Sequence, residues 1–536
     1  MSIAKPKYIF VTGGVASSLG KGIISSSIAR LLQARGYSVA IQKCDPYINV
    51  DPGTLNPYEH GECYVTNDGT EADLDLGHYE RFTAIPTSSA NTVTTGKIYQ
   101  SVINKERRGE YMGKTVQVIP HITDEIKRRI QLLSAKKIYD VIITEIGGTV
   151  GDIESLPYIE SVRQLRYQLG YRNTALVHLT LVPYMTASAE LKTKPTQHSV
   201  KALLENGLQP DVLVLRSEHH LPQEVRRKVA LFCNVDPQAV VESMDVPTIY
   251  EVPLKMREQN LDLVLLEKLN LPADKPSDMK AWEAFVEKVK NPSKRVDIAL
   301  VGKYVELPDA YKSIIESFVH AGAVNDCKVK LHLVAAEKVT PASVEELLGK
   351  MNGIMVAPGS GNRGIDGKLT AVKYARENKV PFFGICLGMQ CAVIEFARNV
   401  LGYENANSTE MAPTTCPVID VMEEQKGLSE GSTMRRGAYP CHLDPHSKVC
   451  RAYNATTIEE RHHHRYEFNN EYLDEFEAAG MRAVGMNPEM GLVEVVELDN
   501  HPWFVATQYH PEYSSNVLNP HPLFVAFVAA SLANKK

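Results

Sequence analysis

The chain lacks the cysteine pattern of a disulfide-stapled or zinc-stapled protein. Its 536 residues contain nine scattered cysteines, an odd number, and no two of them form a Cys-x-x-Cys pair. Disulfide frameworks use even numbers at regular spacings, and structural zinc sites usually carry close cysteine pairs. The cysteines therefore indicate reduced thiols, argue against a structural zinc site, and predict a cytoplasmic protein.

Long hydrophobic runs and a strong excess of one charge are also missing. The longest late apolar run, residues 523–533, falls short of the roughly 20 residues that a membrane span needs. The N-terminus enters a short strand at Tyr8 without the apolar core of a signal peptide. A net charge of -6 argues against a nucleic-acid coat. We expect neither membrane nor nucleic acid among the partners.

The composition is that of a folded protein with several domains. Hydrophobic residues make up 44% of the chain and charged residues 23%, which is ordinary for globular proteins and excludes disorder along the whole chain. A chain of this length exceeds what one hydrophobic core usually serves. We therefore expect two to four domains.

Apolar, β-branched runs alternate with helical stretches in both halves of the chain. The runs of the first half are Tyr8–Val11, Ser38–Lys43, Val141–Ile146, Thr174–Val182 and Val212–Leu215. Those of the second half are Val296–Val301, Val329–Val334, Gly353–Val356, Phe382–Ile385, Val493–Val496 and Phe504–Tyr509. Continuous apolar strands separated by helices indicate parallel sheets covered on both faces. The predicted fold is α/β, with two doubly wound domains.

A change of composition marks the boundary between the two series. Residues 271–295 are rich in proline and lysine and contain one amphipathic stretch, Ala281–Val289. Such a segment is typical of a linker that carries a helix. The predicted organisation is a first domain over residues 1–272, a linker over 273–295 and a second domain over 296–536.

A glycine-rich loop follows the first strand. It runs from Thr12 to Gly22, contains Lys21, and leads into a helix over residues 23–35. Val15 and Gly22 depart from the strict P-loop motif, but the physical elements remain: backbone N–H groups, a helix N-terminus and one cation. A solvated glycine-rich turn is the alternative. The order of strand, loop, lysine and helix favours phosphate binding.

Two carboxylates could hold the cation that phosphoryl transfer needs. Glu145 lies at the carboxyl end of an apolar strand, where ligands bind in open parallel sheets. Asp75 lies in a short acidic segment and would equally suit a turn or a helix cap. Magnesium prefers one or two carboxylates together with phosphate and water oxygens. We predict Mg²⁺ at Asp75 and Glu145.

The second half contains a cysteine in a strand-to-helix turn. Gly384, Cys386 and Gly388 form the Gly-x-Cys-x-Gly pattern of a nucleophile elbow. A thiol at a helix N-terminus favours the reactive thiolate. A buried structural cysteine is the alternative, but the two glycines at this spacing favour a nucleophile.

A histidine near a carboxylate could serve as the base for this thiol. His510 and Glu512 are two residues apart at the end of the strand that starts near Phe504, so in extended backbone they would face the same side. A carboxylate beside an imidazole fixes its tautomer and stabilises the imidazolium. A loose polar strand end is the alternative, and the joint presence of Cys386 favours catalysis.

Four motifs together resemble the CTP synthase family. They are the loop Gly13–Gly22, the run Gly147–Glu154, the Lys-Thr-Lys-Pro-Thr-Gln of Lys192–Gln197, and the Gly-Ile-Cys-Leu-Gly-Met-Gln around Cys386. The resemblance covers essentially the whole chain in order. It implies an N-terminal synthetase (amidoligase) domain and a C-terminal class I glutamine amidotransferase domain.

The resemblance implies a reaction and a set of sites in the first domain. ATP would phosphorylate the 4-oxygen of UTP, and ammonia from L-glutamine would displace the phosphate to give CTP. The implied ATP-binding residues are Ser18, Leu19, Gly20, Lys21, Gly22, Ile23, Asp75, Met244, Asp245 and Val246. The implied UTP- and CTP-binding residues are Ser17, Asp152, Ile153, Glu154, Lys192, Thr193, Lys194, Pro195, Thr196, Gln197 and Lys228. Lys43 would assist transfer, and His60 and Cys63 resemble the gate of an ammonia passage.

In the second domain the resemblance makes Cys386 the nucleophile, His510 the base and Glu512 its orienter. The implied glutamine-binding residues are Gly359, Leu387, Gly388, Met389, Gln390, Glu410 and Arg465. The chemistry agrees, because an arginine and a glutamate suit the carboxylate and ammonium of a free amino acid, and backbone N–H groups suit an oxyanion. The resemblance also implies feedback inhibition by CTP, activation by GTP, a homotetramer and the capacity to form filaments.

Two segments depart from the family pattern. Residues 358–364 read Pro-Gly-Ser-Gly-Asn-Arg-Gly, one residue shorter than the family's usual run and without its aromatic residue. We therefore expect weak GTP activation. Three consecutive histidines, residues 462–464, replace a mixture of arginine and histidine. Adjacent side chains point in different directions, so we expect an anion-contacting loop and not a metal site.

Two other functions are compatible with parts of this pattern. An ATP-dependent amidotransferase acting on another carbonyl would share both domain types, but the cationic run at residues 192–197 favours a second triphosphate. A non-enzymatic nucleotide-sensing scaffold would not need Lys21, Cys386 and His510 together. An assay of CTP formation discriminates among the three functions.

Overall fold

The computed structural model describes residues 5–53, 55–421 and 434–535. Contacts divide the chain into two compact units. The first unit comprises Met1–Thr54 and Asp75–Val286, and the second comprises Leu55–Leu74 and Glu287–Lys536. Segment 55–74 therefore belongs to the second unit although it lies inside the first domain by sequence position. The predicted boundaries at residues 272 and 295 stay predictions.

The strands are numbered along the chain. They are β1 (Lys7–Gly13), β2 (Val39–Asp45), β3 (Tyr64–Val65), β4 (Glu71–Ala72), β5 (Thr92–Thr94), β6 (Val141–Ile146), β7 (Thr174–Leu181), β8 (Tyr184–Met185), β9 (Glu190–Leu191), β10 (Val212–Ser217), β11 (Val240–Met244), β12 (Lys294–Gly302), β13 (Cys327–Ala335), β14 (Gly353–Val356), β15 (Phe382–Ile385), β16 (Ala406–Ser408), β17 (Cys416–Asp420), β18 (Arg435–Leu443), β19 (Thr457–His464), β20 (Glu467–Phe468), β21 (Met481–Met486), β22 (Val493–Leu498) and β23 (Phe504–Thr507).

The α-helices are numbered in the same way. They are α1 (Lys21–Ala34), α2 (Pro57–His60), α3 (Asp75–Thr83), α4 (Thr95–Arg107), α5 (Thr123–Ile130), α6 (Leu156–Leu169), α7 (Lys194–Glu205), α8 (Gln223–Cys233), α9 (Val252–Glu258), α10 (Leu261–Lys268), α11 (Lys280–Lys290), α12 (Lys312–Val324), α13 (Val344–Leu348), α14 (Ile365–Glu377), α15 (Leu387–Asn399), α16 (Lys448–Tyr453), α17 (Leu473–Ala478) and α18 (Pro522–Ala533).

The first unit is built on a seven-stranded parallel sheet in the order β11-β10-β7-β1-β6-β2-β5. Its five predicted strands are present, each within two residues of its predicted ends. The two edge strands β5 and β11 are additional. β5 has the sequence Thr-Val-Thr, which is too short and too polar to stand out as an apolar run. The parallel α/β prediction is confirmed.

The second unit has a nine-stranded mixed sheet in the order β13-β12-β14-β15-β23-β22-β21-β18-β19. The first five strands are parallel, and the other four add antiparallel neighbours. The apolar runs predicted all five parallel strands. The sixth predicted run, Val493–Val496, forms β22, which is antiparallel to both of its neighbours and not parallel as expected. β18 and β19 alternate or carry charged residues, so their sequences resemble loops more than buried strands.

The predicted linker helix packs into a core. The indole of Trp282 on α11 is 1% exposed and lies against Phe82 and Tyr250, with ring centroids 5.3 and 6.0 Å away. Its Nε1 donates a hydrogen bond of 2.7 Å to the carbonyl of Tyr250. This part of α11 is therefore integral to the first unit.

Over the described ranges, no helix combines the length and the apolar character that crossing a bilayer would require.

Candidate active sites

The glycine-rich loop adopts a conformation that turns backbone N–H groups toward one side. Val15, Ser18 and Gly20 have φ values of 74°, 58° and 93°, and α1 begins at the next residue. Left-handed residues that lead into a helix N-terminus form an anion-binding concavity. Lys21 donates a hydrogen bond of 2.7 Å from Nζ to the carbonyl of Gly148. Burial lowers the pKa of Lys21, and an anion bound here would favour its charged form.

Two glycines of this loop are required by close packing. A Cβ at Gly14 would collide with the hydroxyl of Ser199 on α7, and a Cβ at Gly22 would collide with the carboxylate of Asp75. A P-loop has serine or threonine at the position of Gly22. Here only glycine leaves room for the Asp75 carboxylate. It lets Asp75 approach the start of α1.

The two predicted metal ligands lie around one cation. The ammonium of Lys43 contacts Asp75 and lies 4.0 Å from Oε1 of Glu145. The other oxygen of Glu145, Oε2, accepts a hydrogen bond from the hydroxyl of Tyr79. Burial, followed by the charge of Asp75, raises the pKa of Glu145. Paired carboxylate oxygens that already attract a cation fit the donor set of Mg²⁺. Among the predicted residues, the structure brings Asp75, Glu145 and Lys21 to the same sheet edge.

A buried histidine links the loop to the predicted UTP helix. His178 on β7 makes two hydrogen bonds of 2.8 Å, one through Nδ1 with Thr12 and one through Nε2 with Ser199 on α7. Burial, followed by the charge of Lys21, lowers its pKa to about 3, so the ring is neutral. His178 lies outside every predicted motif. Its sequence signal is one histidine within a mostly apolar strand.

The predicted UTP- and CTP-binding residues fall into a helix start and an exposed turn. α7 begins at Lys194, with Thr196 bonded to Thr180 at 2.9 Å. Lys192 pairs with Glu190, and Lys228 on α8 is exposed. Residues 151–154, like Ser17, are exposed. No contact within the described chain joins Asp152 or Glu154 to the lysines, so their common role remains a prediction.

The residues predicted for adenine lie at the end of β11. Arg216 on β10 donates a hydrogen bond of 3.3 Å from Nη1 to the carbonyl of Met244 and pairs with Asp245. β11 is the edge strand beside β10, and its end lies at the carboxyl edge of the parallel sheet. This is the edge where an open sheet binds ligands.

Cys386 occupies a strained turn between β15 and α15. Its φ and ψ are 52° and -105°, a conformation that an L-residue adopts at a cost. Its amide donates a 2.7 Å hydrogen bond to the carbonyl of Thr507, and Nε2 of Gln508 lies 3.7 Å from its Sγ. A side chain at Gly384 or Gly388 would collide with neighbouring backbone atoms, so the turn requires glycine at both positions. The geometry is that of a nucleophile elbow.

His510 and Glu512 meet, but not through extended backbone as expected. β23 ends at Thr507, and a 3-10 turn over Pro511–Ser514 carries Glu512 back to the ring. Nδ1 of His510 and Oε1 of Glu512 are 2.7 Å apart. Burial alone would lower the pKa of His510, but the charges of Glu512 and Cys386 outweigh it and raise the pKa to about 10. The arrangement holds an imidazolium near a thiol.

The predicted glutamine-binding residues surround this elbow in part. Oε1 of Glu410 accepts a 2.7 Å hydrogen bond from the amide of Gly361. Gly359 has a φ of 152°, and the side chain of Leu387 lies near it. Nε2 of Gln390 donates a 3.2 Å hydrogen bond to the carbonyl of Tyr466. The guanidinium of Arg465 lies 5.7 Å from the ring centroid of Tyr466. Met389 and Gly388 are buried on α15.

Two lysines that the sequence analysis missed support the shortened segment. Lys303 donates hydrogen bonds from Nζ to the carbonyls of Ser360 and Gly361, and Lys368 donates one of 2.8 Å to the carbonyl of Ala357. Burial lowers the pKa of Lys368 to about 8. Lys303 follows a buried strand directly, which is a signal that sequence reasoning could have used. Lys368 lies inside α14 and has no such signal.

The three consecutive histidines lie on a strand, so the predicted anion-contacting loop is wrong. They end β19, where successive side chains face opposite sides. His462 lies 2.7 Å from His464 and 3.1 Å from a carboxylate oxygen of Glu494, all of them buried. Arg435 joins this cluster through Glu494 at 3.0 Å. His463 faces the other way.

Comparison with known families agrees with both units. Residues 7–271 match the model described as CTP synthase N-terminus, and residues 306–530 match the model described as Glutamine amidotransferase class-I. A solved Trypanosoma brucei CTPS glutaminase domain with bound acivicin is 34% identical and covers 44% of this chain and 94% of its own, with a TM-score of 0.43.

Full-length relatives carry the name CTP synthase. One from Flavobacterium johnsoniae is 62% identical and covers 99% of both chains. One from Bacteroides fragilis is 63% identical over 99% of this chain and 100% of its own. One from Porphyromonas gingivalis is 60% identical over 100% and 99%. Similarity of this degree over the whole length, together with the elbow thiol and the phosphate loop, means that this chain belongs to the CTP synthase family.

Proposed function

We propose that this chain aminates UTP to CTP with ATP and glutamine, using Cys386, His510 and Glu512 to release ammonia and the loop around Lys21 to activate UTP. The observation that carries the proposal is the elbow at Cys386 beside the His510–Glu512 pair, in a chain 60–63% identical to full-length CTP synthases. The same arrangement would have no use in a scaffold that only senses nucleotides.

The proposed glutaminase step follows from the geometry of the elbow. The thiolate of Cys386 attacks the side-chain carbonyl of glutamine, and His510 gives a proton to the departing ammonia. Water then cleaves the thioester to release glutamate and restore the thiol. The hydrogen bond with Glu512 keeps a proton on Nδ1 of His510. Nε2 of the same ring is then the nitrogen that exchanges protons with the reacting groups. Backbone N–H groups of Gly359 and Leu387 would hold the oxyanion, and Glu410 and Arg465 would bind the ends of glutamine.

In the proposed synthetase step, the γ-phosphoryl group of ATP passes to the 4-oxygen of UTP, and ADP leaves. Ammonia then attacks the 4-carbon, and phosphate departs to give CTP. Lys21 would neutralise the transferring phosphoryl group, and Lys43 would take part beside it. Mg²⁺ fits the pair Asp75 and Glu145 and, when bound, supplies charge that neutralises the phosphates. His178 would keep the loop and α7 in register.

The remaining proposals concern nucleotides and assembly. The run 192–197 and Lys228 would bind the triphosphate of UTP, and CTP would inhibit by sharing that subsite while its base lies near Asp152 and Glu154. Met244 to Val246 would line the adenine of ATP. GTP would activate weakly. A homotetramer, with the capacity to form filaments, and a cytoplasmic location are further proposals taken from the resemblance.

Two variants and two nitrogen sources test the division of labour. Cys386→Ala removes the atom that must bond the glutamine carbonyl, so glutamine-driven CTP formation should vanish and ammonia-driven formation should persist. Lys21→Ala removes a charge from the transferring phosphates, which is worth several kcal/mol, or roughly a thousandfold in rate. That loss should affect both nitrogen sources alike. The measurement is CTP formation followed spectrophotometrically.

The controls are built into the same four assays. A Cys386→Ala protein that stays folded but loses ammonia-driven synthesis contradicts the separation of the two steps. A Lys21→Ala protein that keeps ammonia-driven synthesis shows that the loop is not the ATP site. Glutaminase activity of the Lys21 variant, measured as glutamate release, controls for folding of the second unit.

A further inference from the structure

A second group of metal-ligating side chains lies near the elbow but outside the proposed machinery of bond cleavage. Cys63, Glu71 and His463 place one thiol sulfur, one carboxylate oxygen and one ring nitrogen within 4.8 Å of one another. Nε2 of His463 is 2.7 Å from Oε1 of Glu71. All three residues belong to the second unit. The proposed reaction assigns no metal to them.

The backbone that carries these three residues is held in place. Glu71 on β4 pairs with Val65 on β3, and the hydroxyl of Tyr513 donates a 3.1 Å hydrogen bond to the carbonyl of Cys63. Arg461 on β19, two residues before His463, donates from Nη1 to the carbonyl of Val65 at 3.1 Å. Fixed backbone reduces the entropy lost when side chains gather around an ion.

We propose that Cys63, Glu71 and His463 form a binding site for Zn²⁺, with water in a fourth position. Zinc prefers thiolate, imidazole and carboxylate ligands in a tetrahedral arrangement. Its usual bond lengths place neighbouring ligand atoms about 3.3–3.6 Å apart. The His463–Glu71 separation of 2.7 Å is shorter than that range, and no pair of ligand atoms is more than 4.8 Å apart, so small side-chain rotations would complete the coordination. Calcium and magnesium take oxygen ligands and would be excluded by the sulfur.

Metal binding exchanges protons and displaces one cation. Cys63 must enter as thiolate, so its thiol proton passes to the buffer as zinc binds. Arg436 is the competing charge, because its Nε lies 3.2 Å from Oε1 of Glu71. Its side chain is 33% exposed and can turn into solvent. The affinity should therefore rise when Arg436 is removed.

No spacing pattern in the sequence predicts this metal site. Its ligands come from two segments almost 400 residues apart, with no Cys-x-x-Cys pair, and the histidine lies in a run where adjacent side chains face opposite sides. The site lies close to catalysis as well. The ring of His463 is 6.4 Å from that of His510, and its carbonyl lies 4.0 Å from Sγ of Cys386.

The test uses Co²⁺ as a spectroscopic probe for zinc in the full chain carrying Cys386→Ala, which removes the catalytic thiol as a second ligand. We expect one Co²⁺ per chain and a near-ultraviolet thiolate-to-cobalt band that Zn²⁺ abolishes by competition. Cys63→Ser should remove the band. His463→Gln should weaken binding about tenfold to a hundredfold, as loss of metal-site partners typically does.

Matched variants make the outcome decisive. Cys416→Ser changes the other half-buried cysteine and should leave the band intact. Arg436→Gln should tighten Co²⁺ binding several-fold. Absence of the band in the parent, or its persistence after Cys63→Ser, overturns the proposal, and so does unchanged or weaker binding by the Arg436 variant. Metal-free melting curves verify that each variant is folded, and His463→Gln supplies the test should Cys63→Ser fail to fold.

Discussion

At the scale of single residues, the charge of His510 depends on its carboxylate partner. The ring is buried, and burial alone would favour the neutral form, yet Glu512 and Cys386 raise its pKa to about 10. The ordinary value is near 6.5. A proton on this ring therefore stabilises the folded chain fully below pH 6.5, and the contribution is lost as pH rises through 10.

Glu512→Gln should remove most of this effect. We expect glutaminase kcat/KM to fall by about 10²-fold or more, because the amide no longer fixes the ring tautomer, and the alkaline limb of the pH profile to move to lower pH. The melting temperature of the variant should decline less than that of the parent between pH 6.5 and 10. Glu459→Gln, an exposed glutamate on β19, is the control. Identical pH dependence of both variants would contradict the assignment.

Gly22 shows how one missing side chain shapes the ATP site. A Cβ there would collide with the carboxylate of Asp75. Gly22→Ser restores the residue of a P-loop but should displace Asp75, and misplacement by about 1 Å can cost 10²-fold in rate. We expect ATP-dependent CTP formation to fall with both nitrogen sources, while glutamate release is retained. Full synthetase activity in this variant would show that Asp75 can shift freely.

At the scale of elements, α11 contributes to the stability of the first unit and is more than a linker between the two domains. Trp282→Ala removes a buried indole from between Phe82 and Tyr250 and should cost about 3–5 kcal/mol of unfolding free energy. Trp282→Phe keeps most of the packing but loses the bond to the Tyr250 carbonyl, and should cost less. Denaturant unfolding of the full chain measures both. If neither variant lowered the unfolding free energy measurably, this role of α11 would be contradicted.

The short segment 358–364 is another element with its own consequence. Lys303 and Glu410 hold its backbone, and both contacts are independent of the missing aromatic residue. We expect glutamine-driven synthesis to proceed without GTP, and GTP to stimulate it less than about fivefold, which is the lower end of typical allosteric coupling. The measurement is CTP formation from glutamine with and without GTP. Strong stimulation would show that the aromatic residue is dispensable.

At the scale of the whole molecule, the order of the chain differs from its division into units. Residues 55–74 lie between β2 and α3 of the first unit but pack with the second. Tyr64 and Cys63 contact Tyr513 there, and Arg461 reaches Val65. The segment that resembles an ammonia gate is thus part of the unit that carries the glutaminase elbow.

The sequence by itself determined the α/β class, the parallel strands and the positions of Lys21, Cys386 and His510. Each is marked locally, by a continuous apolar run or by glycines at a fixed distance from a reactive residue. These signals suffice because strand–loop–helix geometry is decided within about 20 residues.

The tertiary structure decided what depends on contacts between distant residues. Local signals are weak or missing for the turn that brings Glu512 to His510, the hydrogen bonds of His178 and the lysine supports at Lys303 and Lys368. The same holds for the antiparallel strands β18, β19 and β21 of the second sheet. A buried polar group is stable only when a partner is delivered to it by another part of the fold. The sequence of one strand or turn does not specify which distant residue will be its partner. These contacts therefore form only in the folded chain.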